Sequence, residues 1–393
     1  MIDRCFRGVL LPALALAIAS GAAVPAKAEV GVTNSTITFG QSAALEGPAA
    51  ALGTGMRAGI LAAFAEANSK GGIAGRQLEL KSYDDGYEPE RAIAHTKTLI
   101  TQDQVFALIG GVGTPTSSAT QPIATEAGVP FIGPFTGAGF LRSPQLGNVV
   151  NVRASYDQET EAWIQHLTED LGYRRIAILY QDDSYGRAGL SGVIKAMEKR
   201  GMKLVASANY KRNTIAVKES LLRIRKAAPQ AVVMVGAYKP VAEFIKVARR
   251  IDMNPTFVNI SFVGSGALAE ELGRDGEGVV ITQVVPLPWD GSIPLVQQYQ
   301  AAMATLDPAA EPDFVSLEGY IVGRIAIAAL AKVQGDVTRD AFLKAIRDTG
   351  SFDLGGITLT YGADDNQGMD QVFLTVIQPD GSFKAVERLG ASS

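Results

Sequence analysis

Cysteine is almost absent from this sequence: one residue in 393, Cys5. A lone thiol closes no intramolecular disulfide and builds no thiolate metal site. Histidine is nearly as scarce, with only His95 and His166. Both fall in predicted helices without a neighbour at metal-ligand spacing, so no metal centre is expected. No G-x-x-x-x-G-K-[ST] phosphate loop and no G-x-S-x-G nucleophile elbow occurs. The first predicted strand runs into Gln41-Ser42-Ala43-Ala44-Leu45-Glu46-Gly47-Pro48, which departs from G-x-G-x-x-G and argues against a nicotinamide cofactor. Acidic pairs do occur (Asp84-Asp85, Asp182-Asp183, Asp364-Asp365), but adjacent carboxylates at strand ends are ordinary turn formers. No cofactor and no catalytic set is therefore expected, and no enzyme is read from these residues. Long basic runs are missing too, and the formal charge is −4, which argues against nucleic acid or anionic lipid as partner.

The N-terminus carries an address. Arg4 and Arg7 precede an apolar run from Val9 to Ala19, and Ala26-Lys27-Ala28 supplies a small-x-small cleavage site. Residues 1–28 are read as a signal peptide, with the mature chain starting at Glu29. Cys5 leaves with it and, lying before the apolar run, is not a lipid-bearing cysteine. Loss of Arg4, Arg7 and Lys27 with Asp3 moves the charge from −4 to −6. No later stretch approaches the ~18 apolar residues of a membrane helix. Export to the periplasm without direct membrane insertion follows.

Beyond the leader, strands and helices alternate. Ile37–Ala43 reads as a strand, and Leu52–Asn68 as a helix with Leu52, Met56, Ile60 and Phe64 on one face. Segments 105–110, 175–180, 231–236 and 279–285 lack polar alternation, as strands covered on both faces do. Trp163, Ile164, Leu167 and Leu171, and Val241, Phe244, Ile245 and Ala248, have helical spacing. The rhythm predicts an α/β chain with doubly wound parallel sheets. It is too long for one compact sheet, so two units are expected.

Ligands of open parallel sheets bind beyond the carboxyl ends of the strands. Three such ends are rich in glycine and hydroxyls: Gly111 to Ser118, Gly133 to Ala138 and Gln181 to Gly186. Glycine admits a ligand to the backbone, and free N–H groups at a helix start bind an anion. Thr114, Thr116, Ser117 and Thr136 add neutral donors. The alternative reading is that these residues are helix caps and tight turns. Tyr185 and Tyr238 each follow a second-half strand and offer a ring with one hydroxyl.

The chain resembles the type I periplasmic binding proteins of the branched-chain amino-acid (Leu/Ile/Val-binding) transport group. The resemblance rests on Glu46-Gly47-Pro48 with Gly53, Asn68 to Gly75, Tyr83-Asp84-Asp85 with Pro89, the 110–121 loop, 175–180, Tyr185-Gly186 and 355–361. It implies two lobes joined by three crossovers, near 151–154, 282–285 and 363–369. The first lobe would be 29–152 plus 285–363, the second 153–284 plus 364–393. It also implies hinge closure on a small polar ligand delivered to an ABC transporter permease, by a monomer. A periplasmic ligand sensor is the alternative, and an enzyme on the same fold a remoter one. By resemblance, a ligand carboxylate falls on Gly113, Thr114, Thr116 and Ser117 with Phe135, Thr136 and Gly137, and the ligand-facing tyrosines are Tyr185 and Tyr238. Two positions depart from the group. Ser261 stands where leucine-binding members carry a glutamate for the α-ammonium, and Leu52 replaces a tyrosine near the start of the first helix. The group's cysteine pair is absent, with Tyr87 at one position. Asp183 and Glu318 are candidate replacement acids, and Phe314 and Trp289 further wall residues. The expected ligand is a small carboxylate or amide, an aromatic acid ahead of a branched-chain amino acid.

Overall fold

Strands with no water-facing side must pair inside sheets that helices cover on both faces. The computed structural model of the chain, which describes residues 1–2 and 29–390, has two such sheets. Most of the expected leader, with Cys5, lies outside the described residues, as do 391–393.

The first sheet is wholly parallel. Its strands are β1 (Thr36–Ala43), β2 (Gln77–Asp84), β3 (Ala107–Ile109), β4 (Phe131–Ile132) and β5 (Val149–Val150), in the order β2-β1-β3-β4-β5. Between them run α1 (Ala50–Ser69), α2 (Pro89–Thr101) and α3 (Thr114–Glu126). The chain then enters α4 (Tyr156–Gln165) and alternates through β6 (Ile176–Gln181), α5 (Ser184–Glu198), β7 (Ala206–Tyr210) and α6 (Lys218–Lys226). It continues with β8 (Ala231–Val235), α7 (Tyr238–Arg250), β9 (Thr256–Asn259), α8 (Ser265–Leu272) and β10 (Val280–Gln283). Every residue of β8 and β10 is buried, which is why neither shows polar alternation.

After β10 come α9 (Pro294–Leu306), α10 (Phe314–Leu330), α11 (Arg339–Thr349) and the antiparallel pair β11 (Ser351–Asp353) and β12 (Thr358–Thr360). These helices turn back onto the first unit: Arg339 of α11 donates to Phe106 O and Val105 O at 2.8 and 2.7 Å. The chain finishes in the second sheet with β13 (Phe373–Ile377) and β14 (Phe383–Val386). That sheet runs β14-β13-β10-β9-β8-β6-β7. It is parallel from β7 to β10, whereas β13 and β14 are antiparallel. The parallel pattern read from the sequence did not include this edge: a chain that returns late and leaves by a short hairpin pairs in the opposite sense. Where the chain passes between sheets, Asn151 N donates to Asn366 O at 2.8 Å and Gly368 N to Asn151 O at 2.9 Å.

The crossing of α1 and α10 is set by small residues. A β-carbon on Gly59 would lie 1.9 Å from Ser316 O, and one on Gly319 would lie 2.3 Å from Met56 O. The helix backbones therefore touch, and a methyl group there has no side chain to push aside. Gly59→Ala is expected to lower the unfolding free energy by about 1–3 kcal/mol through overpacking. Urea unfolding measures this; an unchanged midpoint would mean that the helices can separate freely.

Candidate ligand-binding site

The carboxyl ends of β1, β3 and β4 face those of β6, β8 and β9 across the gap between the two units. On the first side, β3 leads through Val112 and Gly113 into α3. Gly113 has φ +104°, and a β-carbon there would lie 2.2 Å from the Tyr87 ring. Only glycine serves this turn, because Tyr87 occupies the space. Thr114 and Thr136 join hydroxyls at 2.6 Å. Thr116 donates to Gly113 O at 3.0 Å and to Val112 O, so its hydroxyl is committed to its own helix turn. Ser117 Oγ is buried without a protein partner. Gly137 lies flush against Tyr156, whose N–H donates to Gly137 O at 2.7 Å.

A capping box formed by Ser155 and Gln158 starts α4 and points two functional side chains inward, Tyr156 and Glu159. Just before it, Arg153 is 1% exposed. Its guanidinium lies 4.4 Å over the Phe135 ring, a cation–π contact. Nε is 3.0 Å from Glu318 Oε1 on α10, and Nη2 donates to Glu318 Oε2 at 3.0 Å and to Ser261 Oγ at 2.9 Å. Among the described residues Nη1 has no partner, nor has the buried Tyr156 hydroxyl. Glu159 accepts from Ser261 N and Ser261 Oγ, both at 2.9 Å, and from Thr282 Oγ1 at 2.6 Å.

Burial pushes the carboxyls of Glu159 and Glu318 above their ordinary range, with Arg153 opposing the shift in both. Burial also disfavours the charge on Arg153, but Glu318 and then Glu159 outweigh it and raise its pKa. Desolvation likewise holds the Tyr156 hydroxyl protonated, as a donor.

Aromatic rings enclose this polar set. Phe262, in a single turn after β9, has its centroid 4.5 Å from Tyr185, 5.2 Å from Phe135 and 6.1 Å from Tyr87. Tyr156 and Tyr185 are 5.6 Å apart. Tyr185 sits in the first turn of α5, where Asp183 caps the helix, and donates to Gly236 O at 3.4 Å. Tyr238 opens α7, and its hydroxyl accepts from Ala51 N at 3.4 Å across the gap. Leu52 packs on Gly264 beside Tyr238. The enclosed space beside Arg153, Phe135, Ser261, Phe314, Val315 and Glu318 is about 10 Å³, roughly what one water needs. A larger open groove of about 990 Å³ runs under Trp289 and Phe383 and borders this cluster at Val315. It carries the greater volume, but Arg153 lines the smaller space.

At the rim, Tyr87 links the units: its hydroxyl accepts from Gln181 Nε2 at 3.3 Å. Arg212 pairs with Glu88 at 2.8 Å and Asp183 at 3.2 Å, and Asn213 donates to Gly86 O at 3.1 Å.

Two units with facing strand ends and rings closed over a buried polar set form the frame of a solute-binding protein. A family model described as periplasmic binding protein matches residues 36–382. The chain belongs to this family. Within it, the chain is a type I periplasmic binding protein of the branched-chain amino-acid group. A solved possible leucine/isoleucine/valine-binding protein from Rhodopirellula baltica SH 1 is 40% identical, with TM-score 0.87, covering 91% of this chain and 98% of that one. The leucine-, isoleucine-, valine-, threonine- and alanine-binding protein of Pseudomonas aeruginosa is 26% identical over 63% of this chain and 66% of its own length, just under two thirds. The Leu/Ile/Val-binding protein homolog 7 of Brucella abortus is 23% identical over 83% and 82%.

In this periplasmic binding protein, the structure brings Gly113, Thr114, Thr116, Ser117, Phe135, Thr136, Gly137, Tyr185 and Ser261 around one buried cluster. Leu52 and Tyr238 sit together farther out, where α1 meets α7. Of the candidate acids, Glu318 turns inward but is held by Arg153, and Asp183 serves as a helix cap. Sequence reasoning missed Arg153, Tyr156, Glu159 and Phe262. The available signal was an arginine flanked by Val152 and Ala154 in the mostly apolar segment from Val149 to Ala154.

Asp85 anchors the Tyr87 loop, accepting from Ser42 Oγ and Tyr87 N, both at 2.8 Å. Burial pushes its carboxyl up to about 6, against the lowering effect of those two bonds. A carboxyl whose pKa is higher when folded than when unfolded costs stability above pH 6. That cost, about 3 kcal/mol, fades as pH falls towards 4. Asp85→Asn is therefore expected to differ most from the native protein at pH 7, with the gap narrowing by pH 4.5. Urea unfolding across that range reads it; parallel stability profiles would contradict a raised Asp85.

Proposed function

We propose that this chain is the periplasmic receptor of an ATP-driven importer and that it closes by a hinge on a small carboxylate with an apolar, preferably aromatic, body. The moving lobes would be 29–152 with 285–363 and 153–284 with 364–393. The permease would be the protein partner, the receptor a monomer and its role binding rather than catalysis.

One observation carries the ligand reading. Three buried atoms of this cluster that can donate, Ser117 Oγ, Tyr156 Oη and Arg153 Nη1, lack partners among the described residues. Buried donors without partners are costly, and an anionic oxygen group would satisfy them beside the N-terminus of α3. Both buried acids are already engaged, Glu318 by Arg153 and Glu159 by three donors. An α-ammonium would have to displace those bonds or remain unpaired, at a cost of several kcal/mol. The phenyl and phenol rings around the cluster favour a flat apolar body.

A branched-chain amino acid is the second reading, favoured by the position of Glu159 beside Ser261 and by the leucine, isoleucine and valine named for its relatives. Thermal melts of residues 29–393, refolded to strip carried-over ligand, separate the two. A folded-state ligand at a hundredfold excess over its Kd adds about 2.7 kcal/mol. Simple aromatic carboxylates are expected to raise the melting temperature of the native protein, and Arg153→Gln to abolish the rise measured against its own baseline. Equal responses to leucine in native protein and Ser261→Ala, with none to simple carboxylates, would replace this reading by the amino-acid one.

A further inference from the structure

The rings around the buried cluster are not equivalent. Tyr185 and Tyr87 are tied by their hydroxyls to Gly236 O and Gln181, and Phe135 is pinned under the Arg153 guanidinium. Phe262 has no polar atom on its side chain, is fully buried, and contacts rings of both units. Its backbone, by contrast, is fixed. Ser261 immediately before it gives both its N–H and its hydroxyl to Glu159. Gly264 at φ +81° ends the turn, and Leu52 closes the space behind it. A rigid turn thus presents one ring without a polar anchor to the gap, against Phe135, Tyr87 and Tyr185.

We infer that Phe262 is the residue that sets how large a ligand body this site accepts, an inference that rests on the carboxylate reading above. The ligand's oxygens would be held by fixed donors, whatever the rest of the molecule. The length of its apolar body would be limited by where the Phe262 ring stands when the units close. Removing that ring leaves the donors, the Arg153–Glu318 pair and the Glu159 bonds to Ser261 in place and opens a ring-sized space beside Phe135 and Tyr185. A hydrophobic pocket discriminates by about 10–200-fold per methylene-sized difference, so a whole ring should move the ranking of ligands visibly.

The test is calorimetric titration of native protein and Phe262→Ala with benzoate, cyclohexanecarboxylate and 2-naphthoate, which share the carboxylate and differ in body. Native protein is expected to favour a single-ring acid. In the variant the ratio of 2-naphthoate to benzoate affinity should rise by about tenfold or more. Phe262→Leu, which keeps most of the volume, serves the same comparison if the alanine variant does not fold, with a smaller shift in the same direction. A folded variant with the native ranking would overturn the role of Phe262 while leaving the carboxylate reading intact. A native protein that binds none of the three acids would overturn the carboxylate reading, and this inference with it.

Discussion

Taking a guanidinium out of water costs several kcal/mol even after relaxation, and Arg153 is almost wholly removed from solvent. That cost is tolerable only because Glu318 meets it with two oxygens and Phe135 covers its face. Glu318 sits on α10, packed on α1, and Phe135 follows β4 of the first sheet, whereas Arg153 lies just before α4, on the way to the second sheet. This buried ion pair thus spans the gap, and its full set of contacts requires the two units to be together. Glu159 extends the same network into the second unit by fixing Ser261, and through it the turn that carries Phe262. Farther from this network, several contacts across the gap are long or partly exposed. Tyr238 to Ala51 and Gln181 to Tyr87 span 3.4 and 3.3 Å, and Arg212 to Glu88 lies at the partly exposed rim.

On the reading proposed above, this arrangement would divide the labour of recognition. The first unit offers the N-terminus of α3 with Ser117 and the Thr114–Thr136 hydroxyl pair. The second offers Tyr156, Tyr185 and Phe262. Arg153 stands at the junction with one nitrogen unspent. A ligand that engages both sides favours the closed arrangement by its differential affinity for it, which is all that hinge closure requires. The tight packing of α1 on α10 through Gly59 and Gly319 does the opposite job, keeping Glu318 at a fixed place within the first unit.

The sheets were legible because burial on both faces removes polar alternation: Ala231–Val235 is apolar in sequence and buried throughout. The loop after β3 was legible as well, since Gly113 and the hydroxyls behind it announce a backbone turn into a helix. Two features were hidden. The antiparallel return of β13 and β14 depends on the path of the chain between units, which no local period records. The buried charges were hidden for a related reason. Arg153, Glu159 and Glu318 are 102 to 165 residues from partners that make sense of them, and each looks like a solvated residue in its own segment. Ser261 shows how the two sources combine: the resemblance marked it as a departure, and the structure shows Glu159 supplying a carboxylate beside it from another helix.

The most direct test is a crystal structure of the protein bound to a simple aromatic acid such as benzoate. The account predicts the carboxylate within about 3 Å of Arg153 Nη1 and of Tyr156 Oη or Ser117 Oγ, with its ring against Phe262. A carboxylate beyond reach of all three donors, or a ligand ammonium seated on Glu159 in a complex with an amino acid instead, would contradict it.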